Sequence, residues 1–178
     1  MMVDVIGFNI DGSTDNFVSE GDFGEITDWV AGVQFAGEFL TSDIEDIREA
    51  VKRYGIDYIQ IQHMELVEPV ALLGKPLIYK MHIEDSNDLD KLTSGLSYLD
   101  ELAKLVIIKS TNESLYGQID AQIGYYNGNL KLLKGYAIKA SEDLGKFPGL
   151  ELEATEEDRP GYKDYGQIMD VLELIEDD

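Results

Sequence analysis

Two histidines stand beside carboxylates at positions that could support acid–base or metal chemistry. His63 precedes Glu65 by two residues, and His82 precedes Glu84 by two residues and Asp85 by three. Imidazole nitrogens and carboxylate oxygens are both ligands for zinc. The chain has no other histidine, and the two that it has lack the H-x-x-x-H spacing that presents both rings on one helix face. We therefore keep His63 and His82 as catalytic candidates and predict no metal site.

Three lysines fall in strand-like runs that follow one another along the chain, namely Lys80, Lys109 and Lys134. Two acids, Glu151 and Glu153, fall in the last such run. A desolvated lysine can act as a nucleophile that forms a Schiff base with a carbonyl substrate. We favour interior ion pairing instead, because charged side chains inside a fold are normally paired. Lys109 and Glu153 remain catalytic candidates.

The end of the chain concentrates negative charge. From Glu151 to Asp158, five of eight residues are acidic, and Pro160-Gly161 and an amphipathic helical pattern over Lys163–Ile175 follow. A strand, a turn and a helix in this order place the carboxylates at the carboxyl end of a strand, where α/β folds bind their ligands.

Acidic side chains also dominate the whole composition. Fourteen Lys and Arg against 36 Asp and Glu give a formal net charge of −22. Such a field repels nucleic acid, anionic membrane surfaces and phosphorylated substrates. We therefore expect no nucleic-acid or membrane partner, and we expect any small ligand to be neutral or cationic. The absence of cysteine excludes disulfides and thiolate chemistry, and no cofactor is expected.

The length of 178 residues, without a linker or a shift in composition, predicts a single domain over residues 1–178. The N-terminus lacks the basic segment and long apolar run of a secretory signal. No apolar stretch approaches the roughly 20 residues that span a bilayer. These features predict a cytoplasmic protein.

Seven strand-like runs, rich in Val, Ile, Tyr and Phe, recur about every 25 residues. They are Val3–Ile10, Val30–Ala36, Asp57–Gln62, Leu77–Ile83, Lys104–Lys109, Leu130–Ala137 and Leu150–Glu153. Helical patterns separate several of them, with the clearest over Ser42–Tyr54, where Ser42 and Glu45 form a capping box, and over Asn87–Leu102. Strand–helix repeats of this kind predict a parallel sheet, either doubly wound or a barrel one unit short of eight.

The residue patterns of several runs resemble those of the phosphoribosylanthranilate isomerase family, a TIM barrel of tryptophan biosynthesis. Asp4–Phe8 is similar to the family's second strand, A-D-x-[IL]-G-F, and Gly32–Phe35 to its third, G-V-F-V. Gly55–Ile61 is similar to the fourth strand, G-L-D-x-[VI]-Q-L. Gly149–Asp164 follows the eighth-strand pattern without a gap and keeps Pro160-Gly161 and Lys163-Asp164.

This resemblance implies an α/β fold with a TIM-barrel-like (βα) repeat, in which about seven parallel strands are ringed by helices. The barrel would be incomplete, because the family's first βα unit has no counterpart in the chain. Two open strand edges would follow, at Val3–Ile10 and Leu150–Glu153. Since open edges invite pairing, we expect the edges to close directly on each other or a homodimer to cover them.

The same resemblance points to lost chemistry. The family uses a cysteine base in K-[IV]-C-G and an aspartate acid in L-L-D-S, and each role is worth roughly 10²–10⁴ in rate. This chain has no cysteine, and Lys109 stands at the position of the aspartate. Lysine side chains ordinarily titrate near about 10.4, so a lysine is a poor proton donor to a sugar oxygen at neutral pH.

The family's binding positions also differ. Its phosphate glycines correspond here to Gly135-Tyr136 and to Glu153-Ala154-Thr155, and Asn16 aligns with the arginine that meets the anthranilate carboxylate. We take as candidate ligand-binding residues the polar or flexible positions at the carboxyl ends of the strands. They are Asn9, Asn16, Gln62, Lys80, Gly135 and Thr155.

The sequence therefore predicts a divergent relative of the isomerase that binds a ligand or a partner without isomerising. The alternative is an active enzyme. It would be either the isomerase itself or a sugar-type isomerase or lyase whose Lys, His and Glu side chains have taken over catalysis.

Overall fold

Seven parallel strands form one sheet in the computed structural model of the chain, which describes residues 3–40, 43–138 and 146–153. The strands are β1 (Val5–Asn9), β2 (Gln34–Phe39), β3 (Tyr58–Ile61), β4 (Leu77–His82), β5 (Leu105–Lys109), β6 (Lys131–Lys134) and β7 (Gly149–Leu150). The predicted α/β repeat of seven parallel strands is thus confirmed. The predicted last helix, Lys163–Ile175, lies outside the described residues.

The strand order decides between the two predicted architectures. Each strand pairs with its neighbour in sequence, from β1 through to β7. A doubly wound sheet reverses its order at a switch point, whereas an unrolled barrel keeps the order of the chain. The sheet is therefore an open, incomplete barrel. Across the three described ranges β1 and β7 form its two ends and do not pair with each other, so direct closure of the edges is not observed there.

Five helices connect the described strands. They are α1 (Glu20–Thr27), α2 (Ile44–Arg53), α3 (Val67–Ala71), α4 (Ser86–Leu99) and α5 (Tyr116–Tyr125), with 3₁₀ turns at Met64–Leu66 and Glu113–Leu115. In α4, Asp85 accepts the N–H groups of Asn87 and Asp88 and so caps the helix. No helix in the described part of the chain is long and apolar enough to cross a membrane.

Several predicted boundaries were wrong. The strand predicted over Leu130–Ala137 ends at Lys134, and the one predicted over Leu150–Glu153 is Gly149–Leu150. The cap of α2 is Asp43, whose side chain accepts the Glu45 N–H, and the predicted cap Ser42 lies outside the described residues. The predicted strand over Val30–Ala36 begins later, at Gln34. The reason is that the N–H groups of Trp29 and Val30 bond back to Ile26 and Thr27 and finish α1 as a turn.

Side chains on the two faces of the sheet form separate clusters. One face packs against the helices in a large apolar core, to which α4 contributes Leu89, Leu92, Leu96 and Leu99. The other face lines the inside of the incomplete barrel, where Ala36, Ile78 and Ile107 form a small apolar layer. Since side chains alternate along a strand, the next inward positions toward the carboxyl ends stand above this layer.

We predict that Leu96→Ala lowers the free energy of unfolding by about 2–5 kcal/mol, because a buried leucine truncated in a packed core leaves a cavity. Leu96 is 1% exposed. Urea unfolding followed by circular dichroism measures the change. Asp90→Ala, on the exposed face of the same helix, is the matched control and is expected to change stability little. Equal effects of the two substitutions would contradict the assigned core.

Candidate functional site

Charged side chains meet inside the incomplete barrel, at the carboxyl ends of its strands. Glu38 on β2, Lys80 on β4 and Lys109 on β5 point inward, and Glu151 and Glu153 follow β7. We call these five residues the interior charge cluster. In TIM-barrel enzymes the active site lies at this same end of the strands.

The two lysines of the cluster are held by the two last acids. The Lys80 Nζ lies 3.0 Å from Glu151 Oε1 and 3.4 Å from Glu153 Oε1. The Lys109 Nζ lies 2.7 Å from Glu151 Oε2 and 3.1 Å from Glu153 Oε1. Glu151 thus bridges both ammonium groups with its two oxygens. The predicted ion pairing of Lys80 and Lys109 with Glu151 and Glu153 is observed.

Electrostatics keep Lys80 charged. Burial lowers the pKa of Lys80, but the carboxylates of Glu38, Glu151 and Glu153 outweigh burial and raise it overall. A lysine whose pKa is raised is protonated at neutral pH and has no lone pair for attack on a carbonyl. The geometry therefore does not favour Lys80 as a Schiff-base nucleophile.

The pKa values of two acids in the cluster, Glu38 and Glu153, are shifted in opposite directions. Burial raises the pKa of Glu38 above its usual range, despite the opposing effects of Lys80 and of a hydrogen bond with Gln60. Glu153 lies closer to solvent, and there Lys109 and Lys80 outweigh burial and lower its pKa. Counted together, three carboxyl groups face two ammonium groups in the cluster.

Lys134 does not join the cluster, contrary to the predicted grouping of three lysines. Its Nζ lies on the helix side of the sheet, 3.3 Å from Asp120 Oδ1 and 4.7 Å from the centre of the Tyr136 ring. The inward position of β6 belongs to Leu133, which packs on the small apolar layer. Because side chains alternate, neighbours in a strand face opposite sides.

Gly135 lies directly against the cluster. A Cβ at this position would stand 2.4 Å from Lys109 Cδ and 3.1 Å from Glu151 Oε2. The Gly135 N–H donates to the Ile108 carbonyl at 2.9 Å. The Lys109 stem thus occupies the space beside Gly135, and the Gly135 amide is bonded within the sheet.

The two histidines do not form a metal site with the acids beside them. His63 Nε2 contacts the Leu40 carbonyl at 3.1 Å. Burial and the nearby Lys80 lower the pKa of His82, which keeps the ring neutral at pH 7. Glu84 accepts the N–H and hydroxyl of Thr111 instead. Within the described ranges, no group of three His, Asp or Glu side chains is arranged to hold a metal.

The remaining binding candidates are scattered. The Asn9 amide donates to Thr14 Oγ1 at 2.9 Å and its oxygen accepts the Asp11 N–H, so Asn9 shapes the loop after β1. Asn16 is exposed in that loop. The Gln62 carbonyl accepts the Tyr79 hydroxyl at 3.0 Å. Thr155 lies outside the described residues. Of the six candidates, the structure brings Lys80 and Gly135 to the cluster.

Sequence reasoning missed Glu38 and its neighbour Gln60, which faces it in the β2–β3 register. The predicted strand ended at Ala36 and so left Glu38 in a loop. With the strand at Gln34–Phe39, alternation from the inward Ala36 places Glu38 inside as well.

No family model and no curated protein matches the sequence. Solved structures do match the fold. Phosphoribosylanthranilate isomerase from Thermotoga maritima aligns with a TM-score of 0.73 at 15% identity, over 98% of this chain and 88% of that one. The isomerase from Pyrococcus furiosus gives 0.71 at 13% identity, over 98% and 89%. A structure of monomers made from the dimeric Thermotoga maritima isomerase gives 0.69 at 16% identity, over 98% and 88%.

The chain therefore has a TIM-barrel-like fold, and among such folds it has that of the phosphoribosylanthranilate isomerases. The resemblance that the strand motifs predicted is confirmed at the level of the fold.

We predict that Glu38→Gln stabilises the protein at pH 7, and that this gain shrinks as the pH falls through the raised pKa of Glu38 and is lost at the usual carboxyl pKa. The folded-state pKa of Glu38 is raised, so ionisation above that pKa lowers stability, and glutamine removes the ionisation. Urea unfolding from pH 4 to pH 8 measures the difference, with Glu25→Gln on the exposed face of α1 as the control. A gain that is independent of pH would contradict the assignment.

Proposed function

We propose that this chain is a binding protein built on the phosphoribosylanthranilate isomerase fold, without isomerase activity, and that it works in the cytoplasm. Its ligand at the carboxyl end of the barrel is neutral or cationic. The observation that carries the proposal is the interior charge cluster, which fills the place where barrel enzymes hold their substrates.

Lys109 is the first support. It aligns with the aspartate that acts as general acid in the isomerase family, and its ammonium group is bound by Glu151 at 2.7 Å and by Glu153 at 3.1 Å. The Lys109 ammonium group thus makes its ion pairs with two carboxylates. A general acid contributes roughly 10²–10⁴ in rate, so its loss alone is severe.

The charge balance is the second support. Glu38, Glu151 and Glu153 stand against two ammonium groups, and the Gly135 N–H is already bonded to the sheet. A phosphate dianion at this end of the barrel would be repelled by the excess carboxylate charge. The Gly135 N–H, which is bonded to the Ile108 carbonyl, would not be free to donate to it. A neutral polyol or an amine meets neither obstacle.

One observation favours the alternative, an active sugar-type isomerase or lyase with relocated groups. Glu38 is half-buried, burial raises its pKa, and Lys80 stands nearby. Carboxyl groups with raised pKa values are typical of general acids and bases in enzymes. In that case Glu38 would be the proton donor or acceptor.

We expect no turnover of phosphoribosylanthranilate above background, and a rate at least about 10⁴ below that of an active isomerase, because neither proton-transfer group is in place. The loss of substrate fluorescence measures the reaction, and the Thermotoga maritima enzyme serves as the positive control.

Two variants make the assay decisive. Lys109→Met and Glu38→Gln are assayed beside the unaltered chain. Turnover that either variant abolishes would overturn the inert assignment. Turnover that disappears only with Glu38→Gln would assign catalysis to the carboxyl group of Glu38.

We further propose a homodimer that covers the open edge of the sheet beside β1. In the described part of the chain, the outer edge of β1 has no paired strand. Two apolar side chains at the end of α1 are exposed, Ile26 at 44% and Trp29 at 90%. An unpaired edge and exposed apolar side chains both favour association.

Sedimentation equilibrium is expected to show a dimer, and Trp29→Glu is expected to yield monomers, because a charge at the interface opposes association. Tyr125→Glu is the matched control, since Tyr125 is an aromatic residue of α5 that is 83% exposed. Trp29 is the only tryptophan, so its fluorescence reports burial directly. A monomer with a water-exposed indole at high concentration would contradict the dimer.

A further inference from the structure

A groove of about 410 Å³ runs along the outer layer of helices and extends to His82, whose pKa burial and the cluster residue Lys80 lower. Its walls are α4 and the 3₁₀ turn at Met64–Leu66. Its floor is the helix-facing side of β4, with Tyr79 and Met81, and Ile83 directly after the strand. We call it the α4 groove. None of its lining residues takes part in the ion pairs of the cluster, so the groove needs an explanation of its own.

The lining of the groove is mainly apolar and adaptable. Met64, 36% exposed, and Tyr98, 41% exposed, lie at the rim of the groove, and Met81 is buried beneath them. Methionine side chains are unbranched and polarisable, so surfaces built from them adapt to partners of different shape.

Gly95 keeps the groove open. It lies inside α4, where glycine costs about 1 kcal/mol relative to alanine. A Cβ at Gly95 would stand 3.1 Å from Met81 Cε and 4.0 Å from Met64 Cε. The missing side chain thus lets the two methionine methyl groups meet the helix backbone and leaves the space above them free.

The shape of the groove suits an extended or helical segment. On α4 it is lined from Asp88 through Lys91 and Gly95 to Tyr98. At 1.5 Å of rise per residue, this stretch of helix is about 15 Å long. Recognition of an amphipathic segment in an apolar groove of this kind uses side chains spaced along one face.

The charges around the groove are mostly negative. Asp88 lines it, and the Tyr98 hydroxyl donates to Glu68 at 3.1 Å. Burial and then the nearby Glu65 raise the pKa of Tyr79 to about 12, which places a third carboxylate close by. Among the described residues, the lining contains one lysine, Lys91, and one histidine, His82, whose pKa is lowered by burial and by Lys80. Three acids against one lysine, on a chain of net charge −22, favour a positively charged partner and disfavour a second copy.

We propose that the α4 groove binds a segment of a partner protein that presents lysine or arginine beside apolar side chains. The apolar side chains fill the space above Met81 and Gly95, and the basic side chains face Glu65, Glu68 and Asp88. This inference goes beyond the proposed function of the barrel interior and does not depend on it.

The test uses two synthetic amphipathic helical peptides with the same leucine face, one with lysine and one with glutamate on the polar face. Fluorescence anisotropy of labelled peptide measures binding to the full chain at physiological salt. We expect the lysine peptide to bind at least tenfold more tightly than the glutamate peptide. Comparable binding of both peptides would overturn the charge argument.

Groove variants separate specific docking from adsorption to an acidic protein. Gly95→Leu fills the groove without changing charge. Its control is Gly117→Leu, at a helical glycine of α5 where an added Cβ would have no atom within 4 Å. Gly95→Leu is expected to weaken binding of the lysine peptide at least tenfold, and Gly117→Leu is expected to leave it unchanged.

Met64→Lys is a second variant. It changes only a half-exposed side chain at the rim of the groove, so it remains informative if Gly95→Leu folds poorly. Met64→Lys is expected to weaken binding of the lysine peptide by a similar factor. Unchanged binding by both groove variants would overturn the proposal and assign binding to the general acidity of the surface. Loss of self-association in the groove variants would instead assign the groove to a second copy, and this too would overturn it.

Discussion

Two ammonium groups inside the incomplete barrel must be neutralised, and the rest of the site is arranged around that need. Lys80 and Lys109 come from the middle of the sheet, whereas Glu151 and Glu153 follow its last strand. Removing Lys80, Lys109 or Glu151, whose side chains are at most 15% exposed, leaves an uncompensated charge and typically costs about 3–5 kcal/mol. The ion pairs therefore tie β7 to β4 and β5 across the inside of the sheet.

The same ion pairs define what the barrel end can bind. They occupy the lysine nitrogens, leave Glu38 as an additional acid, and press the Lys109 stem against Gly135. The fold is that of an isomerase, but a fold supports many chemistries and the function belongs to the residues of the site. Here those residues form a set of mutually paired charges.

The two faces of the sheet perform separate tasks. The inner face carries charge at the carboxyl ends of its strands, and the outer face carries the apolar core under the helices. The α4 groove arises on the outer face, where Gly95 leaves the core incompletely covered. Since alternation in a strand assigns neighbouring residues to opposite faces, β4 serves both: Lys80 belongs to the inner charges and Met81 to the groove.

The sequence by itself determined the repeat of strands and helices, the parallel sheet, and the pairing of Lys80 and Lys109 with the acids after the last strand. These features follow from local periods of about 2 and 3.6 residues and from the rule that buried charges pair. The tertiary structure alone decided that Lys134 faces the helices, that Glu38 faces inward, and that Met64 and Gly95 border one groove. An error of a few residues in a strand boundary changes which side chains are predicted to face the inside of the barrel. Contacts between segments that are distant in the chain leave no pattern in the local sequence.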